Sequence, residues 1–187
     1  MVHYADALHV VGGETEAGIA AEVWTFLLDV GQWVRMPTQG CEEACPFRTA
    51  PLNATHCQSL EREVVLRVSC VNTVRPPALR DHTVTLIDDD GTALVLGGIT
   101  NDDEFAHDVH LLDVANRAWR RLAPAMHRFT EVAGHTAVFH PASRGVYVYG
   151  GFRPYHGRYS DARAILAVYN VDSGVWAEVS RSPGRPG

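Results

Sequence analysis

Cysteine, histidine and acidic side chains are the groups in this 187-residue chain that could bind a metal, form a disulfide or move a proton. All four cysteines lie in one segment, at Cys41, Cys45, Cys57 and Cys70. The same segment holds an Asn-x-Thr sequon at Asn53, which is the acceptor pattern for N-glycosylation. The cysteine chemistry of the chain is therefore concentrated in a single stretch.

Two kinds of site compete for the four cysteines. Two disulfides would stabilise a segment that has no core of its own, and such bonds persist in oxidising, extracellular compartments. A zinc site with His56 as a spare ligand is the alternative, but the spacing C-x3-C-x11-C-x12-C lacks the usual C-x2-C pairs. The spacing argues against zinc, the concentration of all four cysteines in one segment favours disulfides over free thiols, and three pairings remain open.

Two histidines occupy equivalent places in a repeat. His82-Thr83 precedes the doublet Gly97-Gly98 by 15 residues, and His135-Thr136 precedes Gly150-Gly151 by the same distance. The two units are offset by 53 residues without a gap, and a third doublet stands at Gly12-Gly13. A residue that recurs once per repeat is better explained by structure than by catalysis, so we interpret both histidines as hydrogen-bonded inside the strands.

Each doublet follows a short apolar run, which predicts a buried strand that ends at a glycine turn. A loop and a third apolar strand come next, and a tryptophan then precedes a fourth short strand. The spacing from Asp113 to Trp119 and from Asn170 to Trp176 is six residues, whereas Asp29 to Trp33 is four, which suggests a shorter first turn. Four antiparallel strands per repeat, with a glycine doublet and a tryptophan, are typical of a propeller blade.

The three doublets and the three tryptophans resemble the kelch-repeat family, whose period is about 50 residues. The segment from Gly134 to Pro141, together with Gly150 to Pro154, is similar to the extracellular branch that includes attractin and the multiple-EGF-like-domain receptors. The resemblance implies an all-β partial kelch β-propeller of about three four-stranded antiparallel blades. The expected divisions are a blade at 1–38, a cysteine-containing insert at 39–71, and blades at 72–128 and 129–187.

The resemblance also implies a non-enzymatic interaction module in the ectodomain of a cell-surface or secreted signalling or adhesion protein. Kelch proteins bind protein partners through the loops between strands and between blades. The richest loop here runs from 153 to 159, because Tyr and Arg are enriched in binding hot spots. Its candidate residues are Arg153, Tyr155, His156, Arg158 and Tyr159. The alternative is an intracellular kelch adaptor for ubiquitin-ligase substrates or the cytoskeleton.

Other chemistries find little support in the sequence. The turn from Asn101 to Glu104 is acidic but lacks the ligand pattern of a calcium loop. Glu104, His107, Asp108 and His110 resemble a metal cluster only superficially, because the last three fall on ordinary strand-entry positions of the repeat. There is no nucleophile elbow or phosphate-binding loop. We therefore expect no catalytic residue, no metal and no cofactor.

The charge and the length of the chain limit which partners and which assembly are possible. A formal charge of −6 argues against nucleic acid as a ligand, and no apolar run is long enough to span a membrane. Three blades are fewer than the about four to eight of a closed propeller, and the first blade lacks its His-Thr strand. We expect the chain to be a fragment whose remaining blades belong to a longer protein, and whose open faces associate in isolation.

Overall fold

Strands supply nearly all of the regular structure. The computed structural model describes residues 1–41, 75–122, 129–155, 158–160 and 165–181. These residues form three separate sheets, and a single 3-10 turn lies at Pro141–Ser143. Within these ranges no helix is long and apolar enough to cross a bilayer. The predicted all-β class and the partial propeller are confirmed.

The first sheet, blade 1, contains four antiparallel strands in chain order. Two-residue connections join the first pair at Ala5-Asp6 and the second pair at Glu16-Ala17, and all three turns reverse the chain between neighbouring strands. The strands are β1 (Val2–Tyr4), β2 (Ala7–Thr15), β3 (Gly18–Leu27) and β4 (Gln32–Met36).

The second sheet, blade 2, has the same antiparallel plan with one addition. The short strand β5 (Gln39–Cys41) pairs in parallel with the outermost strand, at the start of the segment expected to be an insert. The sequence did not predict this fifth strand, because a three-residue strand carries no periodic signal. The four blade strands are β6 (Thr83–Leu86), β7 (Thr92–Leu96), β8 (His110–Asp113) and β9 (Ala118–Arg121).

The third sheet, blade 3, repeats the four-stranded plan and carries an extra hairpin strand on its second strand. The second strand is long because it continues from the blade into this hairpin. Its elements are β10 (Ala133–His140), β11 (Gly145–Tyr155), β12 (Arg158–Ser160), β13 (Ile165–Asn170) and β14 (Val175–Arg181).

The glycine doublets end only one of the three strands that precede them. β7 stops at Leu96, as expected, but β2 and β11 continue through their doublets to Thr15 and Tyr155. The pairing of β2 with β3 shifts register between Val11 and Gly13 and then resumes, as at a β-bulge. The expectation of a glycine turn was therefore wrong for β2, where a bulge bends the strand without ending it, and for β11, whose pairing with β10 keeps one register past its doublet.

The turn before Trp33 is not shorter than its equivalents. Phe26 pairs with Trp33 just as Leu112 pairs with Trp119 and Tyr169 pairs with Trp176. Leu27 therefore occupies the place of Asp113 and Asn170, six residues before the tryptophan. The interpretation based on Asp29 was wrong because that residue lies in the turn rather than at the strand end.

The blades pack against one another through two apolar clusters. One cluster joins blade 1 to blade 2 and includes Val11, Val23 and Trp119; the other joins blade 2 to blade 3 and includes Leu94 and Trp176. Every residue of β7 and β8 is buried because blade 2 is covered on both sides. The order of the blades in space is thus their order in the chain.

Candidate functional site

The glycine doublets and the repeat histidines form a joint between successive blades. The amide of Gly13 donates a hydrogen bond to the carbonyl of Leu79 (2.8 Å), and the amide of Gly98 donates to that of Val132 (2.8 Å). Leu79 and Val132 each precede a repeat histidine by three residues. The second glycine of a doublet therefore binds the start of the next blade.

At two of the three doublets, the first glycine makes room for the histidine of the following blade. A Cβ atom on Gly12 would lie 3.3 Å from Cε1 of His82, and one on Gly97 would lie 2.8 Å from Cε1 of His135. Both glycines also have positive φ angles, +57° and +64°, which disfavour any other residue. The first glycine of the doublet thus meets a steric need at two joints.

Of the two histidines at these joints, His135 is buried and His82 is partly buried. The Thr83 hydroxyl and Nε2 of His135 share a hydrogen bond of 2.7 Å between blades 2 and 3. Burial lowers the pKa of His135 to about 4, and the nearby His82 and Arg153 act in the same direction. Burial also lowers the pKa of His82. A neutral imidazole fixed at a blade joint has a structural role.

Beyond the joints, three segments meet at one end of the blades, and we call this end the loop face. It consists of segment 99–109 of blade 2, the inter-blade link 129–134, and the β11–β12 hairpin. Ile99, Phe105 and Ala133 form a buried cluster there, and Phe152 packs against it. The rings of Phe105 and Phe152 make an edge-to-face contact with centroids 6.0 Å apart. Packing therefore couples the three segments.

Charged contacts connect the same segments at the surface. His107 Nδ1 lies 3.1 Å from the Glu131 carboxylate, which joins the blade 2 loop to the link. Arg80 donates to Asp103 across 3.1 Å, and that contact joins the entry of blade 2 to the same loop. The hydrogen bond to Asp103 raises the pKa of Arg80. Exposed ion pairs contribute at most about 1 kcal/mol, so the aromatic cluster is the main support.

The candidate binding segment is a β-hairpin and not an irregular loop. Arg153 pairs with Ser160 and Tyr155 pairs with Arg158. Tyr155 is therefore the last residue of β11 and Arg158 the first residue of β12, and Tyr159 pairs with Pro154. His156 lies outside the described residues. Pairing holds the candidate residues at fixed places along two strands. That arrangement suits recognition better than a loose loop does.

The base of this hairpin is attached to the link between blades. The guanidinium carbon of Arg153 lies 5.2 Å from the centroid of the Phe129 ring, within the range of a cation–π contact. Phe129 is 1% exposed and belongs to the cluster between blades 2 and 3. Arg153 therefore has a structural contact in addition to its candidate role in binding.

The residues that resemble a metal cluster have separate partners. His107 contacts Glu131, Asp108 lies 3.5 Å from Arg121, and His110 is buried with its ring edge-to-face against Trp119. Burial lowers the pKa of His110 to about 4, with opposing effects from Asp108 and Arg121. No group of three or more His, Cys, Asp or Glu side chains converges on a metal position in the described ranges.

The three repeat tryptophans occupy equivalent positions in different surroundings. Trp119 is 1% exposed and Trp176 is 7% exposed, and each faces the preceding blade. Trp33 is 54% exposed. Its interpretation as part of a blade interface does not hold within this chain, because no sheet of the described residues lies on that side of blade 1.

Most of the cysteine chemistry lies outside the described residues. Cys45, Cys57, Cys70 and Asn53 fall in the range 42–74, and of Cys41 only the backbone is described, in β5. The disulfide and glycan expectations therefore remain predictions.

Sequence reasoning missed the contacts that organise the loop face. Phe105, Phe129 and Glu131 lie in segments with no repeat pattern, and their partners are distant in sequence. A lone aromatic in a polar loop, such as Phe105 in the run Asp-Asp-Glu-Phe-Ala, is the signal that could have indicated a local apolar cluster.

Comparisons with known proteins agree with the blade architecture. A family model described as the Attractin/LZTR1 beta-propeller matches residues 1–186. The chain is also similar to Multiple epidermal growth factor-like domains protein 8 from Rattus norvegicus (28% identity), Homo sapiens (27%) and Mus musculus (28%), over 190 aligned residues. Each match covers 100% of this chain and 6% of the length of the relative.

Proposed function

Because the chain belongs to the attractin/LZTR1 β-propeller family, we propose that it is a non-enzymatic protein-interaction module whose loop face binds a protein partner. The observation that carries the proposal is the contact of Phe105 with Phe152, which couples three segments into one surface. A scaffold that fixes its loops lowers the entropy cost of binding. Binding residues are commonly found on loops held in this way.

The β11–β12 hairpin is the proposed centre of recognition. Its register places Tyr155 opposite Arg158, with Tyr159 next along the strand. Tyrosine and arginine bury large areas and make directional contacts, which is why they dominate binding energies. Arg153, at the base of the hairpin, and His156 complete the proposed set. Mixed aromatic and cationic character suits a protein surface with acidic and apolar groups.

We further propose that the module belongs to the ectodomain of a cell-surface or secreted protein. The support is the similarity to the multiple-EGF-like-domain relatives, together with four cysteines and a sequon confined to one segment. Further blades of a longer chain would complete the propeller in that setting. An intracellular adaptor of the same fold would keep its thiols reduced.

A binding assay with purified chain on intact cells tests the proposed face. Changing Tyr155, Arg158 and Tyr159 together to alanine should reduce saturable cell-surface binding at least about 30-fold, as expected when a hot spot is lost. The matched control is Arg117→Ala, which removes an exposed arginine from the turn between β8 and β9, at the opposite end of the blade. Equal binding by the triple variant and the parent would contradict the proposal.

The redox state of the cysteines separates the two settings. Chain secreted from cultured cells should show no free thiols when it is titrated under denaturing, non-reducing conditions. Four free thiols in secreted material would exclude a disulfide-bonded ectodomain and favour the intracellular adaptor. The result for the thiols does not depend on which loops bind the partner.

A further inference from the structure

Both ends of the row of blades carry exposed apolar side chains. On the face of blade 1 turned away from blade 2, Trp24 is 41% exposed and Trp33 is 54% exposed. On the outer face of blade 3, Tyr149 is 52%, Val175 is 59% and Val179 is 50% exposed. Clustered exposure of large apolar side chains marks a surface that associates with another.

The two end faces are the two halves of the joint that occurs twice inside the chain. Trp33 occupies the same position in its blade as Trp119 does in blade 2. At the internal joint, Trp119 packs against the preceding blade. Val179 corresponds to Met36 in sequence, because each follows its tryptophan by three residues, although the strand register shifts beside Val179 in blade 3. Met36 is 8% exposed and shares a cluster with Trp119 of the next blade. The outer face of blade 3 is thus the surface that a tryptophan-bearing face normally covers.

We propose that a second copy of this chain covers both faces, head to tail, when the chain is on its own. Each copy contributes three blades, and propellers close with about four to eight. Two copies give six blades, whereas one copy or three copies fall outside this range. Blade 3 of each copy then packs on blade 1 of the other, and the ring closes with two-fold symmetry.

We call the contact between blade 3 of one copy and blade 1 of the other the seam, and the side chains of the two faces fit it. The charged Arg35 on the blade 1 face already contacts Glu22 of the same blade at 3.6 Å, so it brings a partly compensated charge. Tyr149 holds the position in blade 3 that Leu96 holds in blade 2, and Leu96 is 1% exposed at the internal joint. Gly150 is the third joint glycine, and its Cβ position meets nothing within 4 Å. The seam therefore brings together residue positions of the same kind as those at the internal joints.

The seam differs from the internal joints in one respect. At those joints the chain itself connects the two blades, and the Gly13 and Gly98 amides bind carbonyls that precede His82 and His135. The two halves of the seam belong to separate chains, so its occupancy depends on protein concentration. We expect a dimer that dissociates on dilution into the low micromolar range, rather than a permanent one.

Sedimentation velocity over a concentration series measures the assembly directly. The chain should approach twice 20.5 kDa at high concentration, and Trp33→Glu or Val179→Lys alone should weaken the dimer at least about 30-fold. Both positions are exposed in the single chain, so the fold should tolerate either change. Val30→Glu is the matched control, because Val30 is 55% exposed in the turn between β3 and β4.

Mixing the two variants tests the head-to-tail arrangement. The Trp33→Glu and Val179→Lys chains should form a mixed dimer, since one seam then carries opposite charges and the other is unchanged. A parent chain that stays monomeric at about 100 μM, that forms larger species, or whose variants fail to recover on mixing overturns the proposal. Cell binding through the loop face would be unaffected by any of these results, so the proposed function is tested separately.

Discussion

Blade 2 and the outer faces of blades 1 and 3 contain the same repeat in opposite environments. Trp119 in blade 2 is 1% exposed, and it donates from Nε1 to the Thr38 hydroxyl across 3.0 Å. Trp33, at the equivalent place in blade 1, is 54% exposed. The comparison teaches that the repeat pattern determines where a side chain sits in a blade, whereas the neighbouring blade determines whether that side chain is buried.

The largest expected difference concerns the two tryptophans. Trp119→Ala should lower the free energy of unfolding by about 3–5 kcal/mol, because it opens a cavity between blades 1 and 2. Trp33→Ala should lower it by about 0.5–1.5 kcal/mol, because it removes only a half-exposed ring contact with Phe26, whose centroid lies 5.1 Å away. Chemical denaturation at a concentration where the chain is monomeric measures both. Equal losses for the two variants would contradict the structural distinction between the joint and the end face.

The same comparison shows which features of the structure could be predicted from the sequence. The doublets at Gly12, Gly97 and Gly150 and the 53-residue offset predicted the blades correctly, because a repeat of turn and strand residues is local information. Local information cannot identify the neighbours of Trp33, which is why its exposure was missed. The loop face was also missed in part, because the contact of Phe105 with Phe152 joins positions in two different blades.

The joint should also be sensitive to acid. The pKa of His135 is lowered from 6.5 to about 4 by burial, so the folded state disfavours the proton that the unfolded chain accepts. The stabilisation from the neutral ring is fully present above pH 6.5 and is lost as the pH falls towards 4, by up to roughly 3 kcal/mol. His110, whose pKa is also about 4, should act in the same sense.

Denaturation across this pH window measures the effect. His135→Gln should flatten the slope of unfolding free energy against pH between 6.5 and 4, even if it lowers the overall stability through loss of the Thr83 hydrogen bond. Any slope of unfolding free energy against pH that remains in this variant would come from the other buried histidines, including His110. A variant with the slope of the parent would show that His135 is not the group that resists protonation.

The smallest expected difference separates two glycines that share a backbone conformation. Gly97 and Gly150 have φ angles of +64° and +75°, so alanine should cost about 1–2 kcal/mol at either position. At Gly97 the new methyl group would also overlap the Val132 carbonyl and lie 2.8 Å from His135 Cε1, whereas at Gly150 it meets nothing within 4 Å. Gly97→Ala should therefore cost about 1–3 kcal/mol more than Gly150→Ala.

Thermal and chemical melts of the two alanine variants, made with monomeric chain, give this difference directly. The shared φ cancels in the comparison, so the remainder reports only the approach of the next blade. If the two variants melted alike, blade 3 would not press on Gly97 as closely as the Val132 and His135 contacts require. If the gap between them closed only at high protein concentration, a second copy would be crowding Gly150 as blade 3 crowds Gly97.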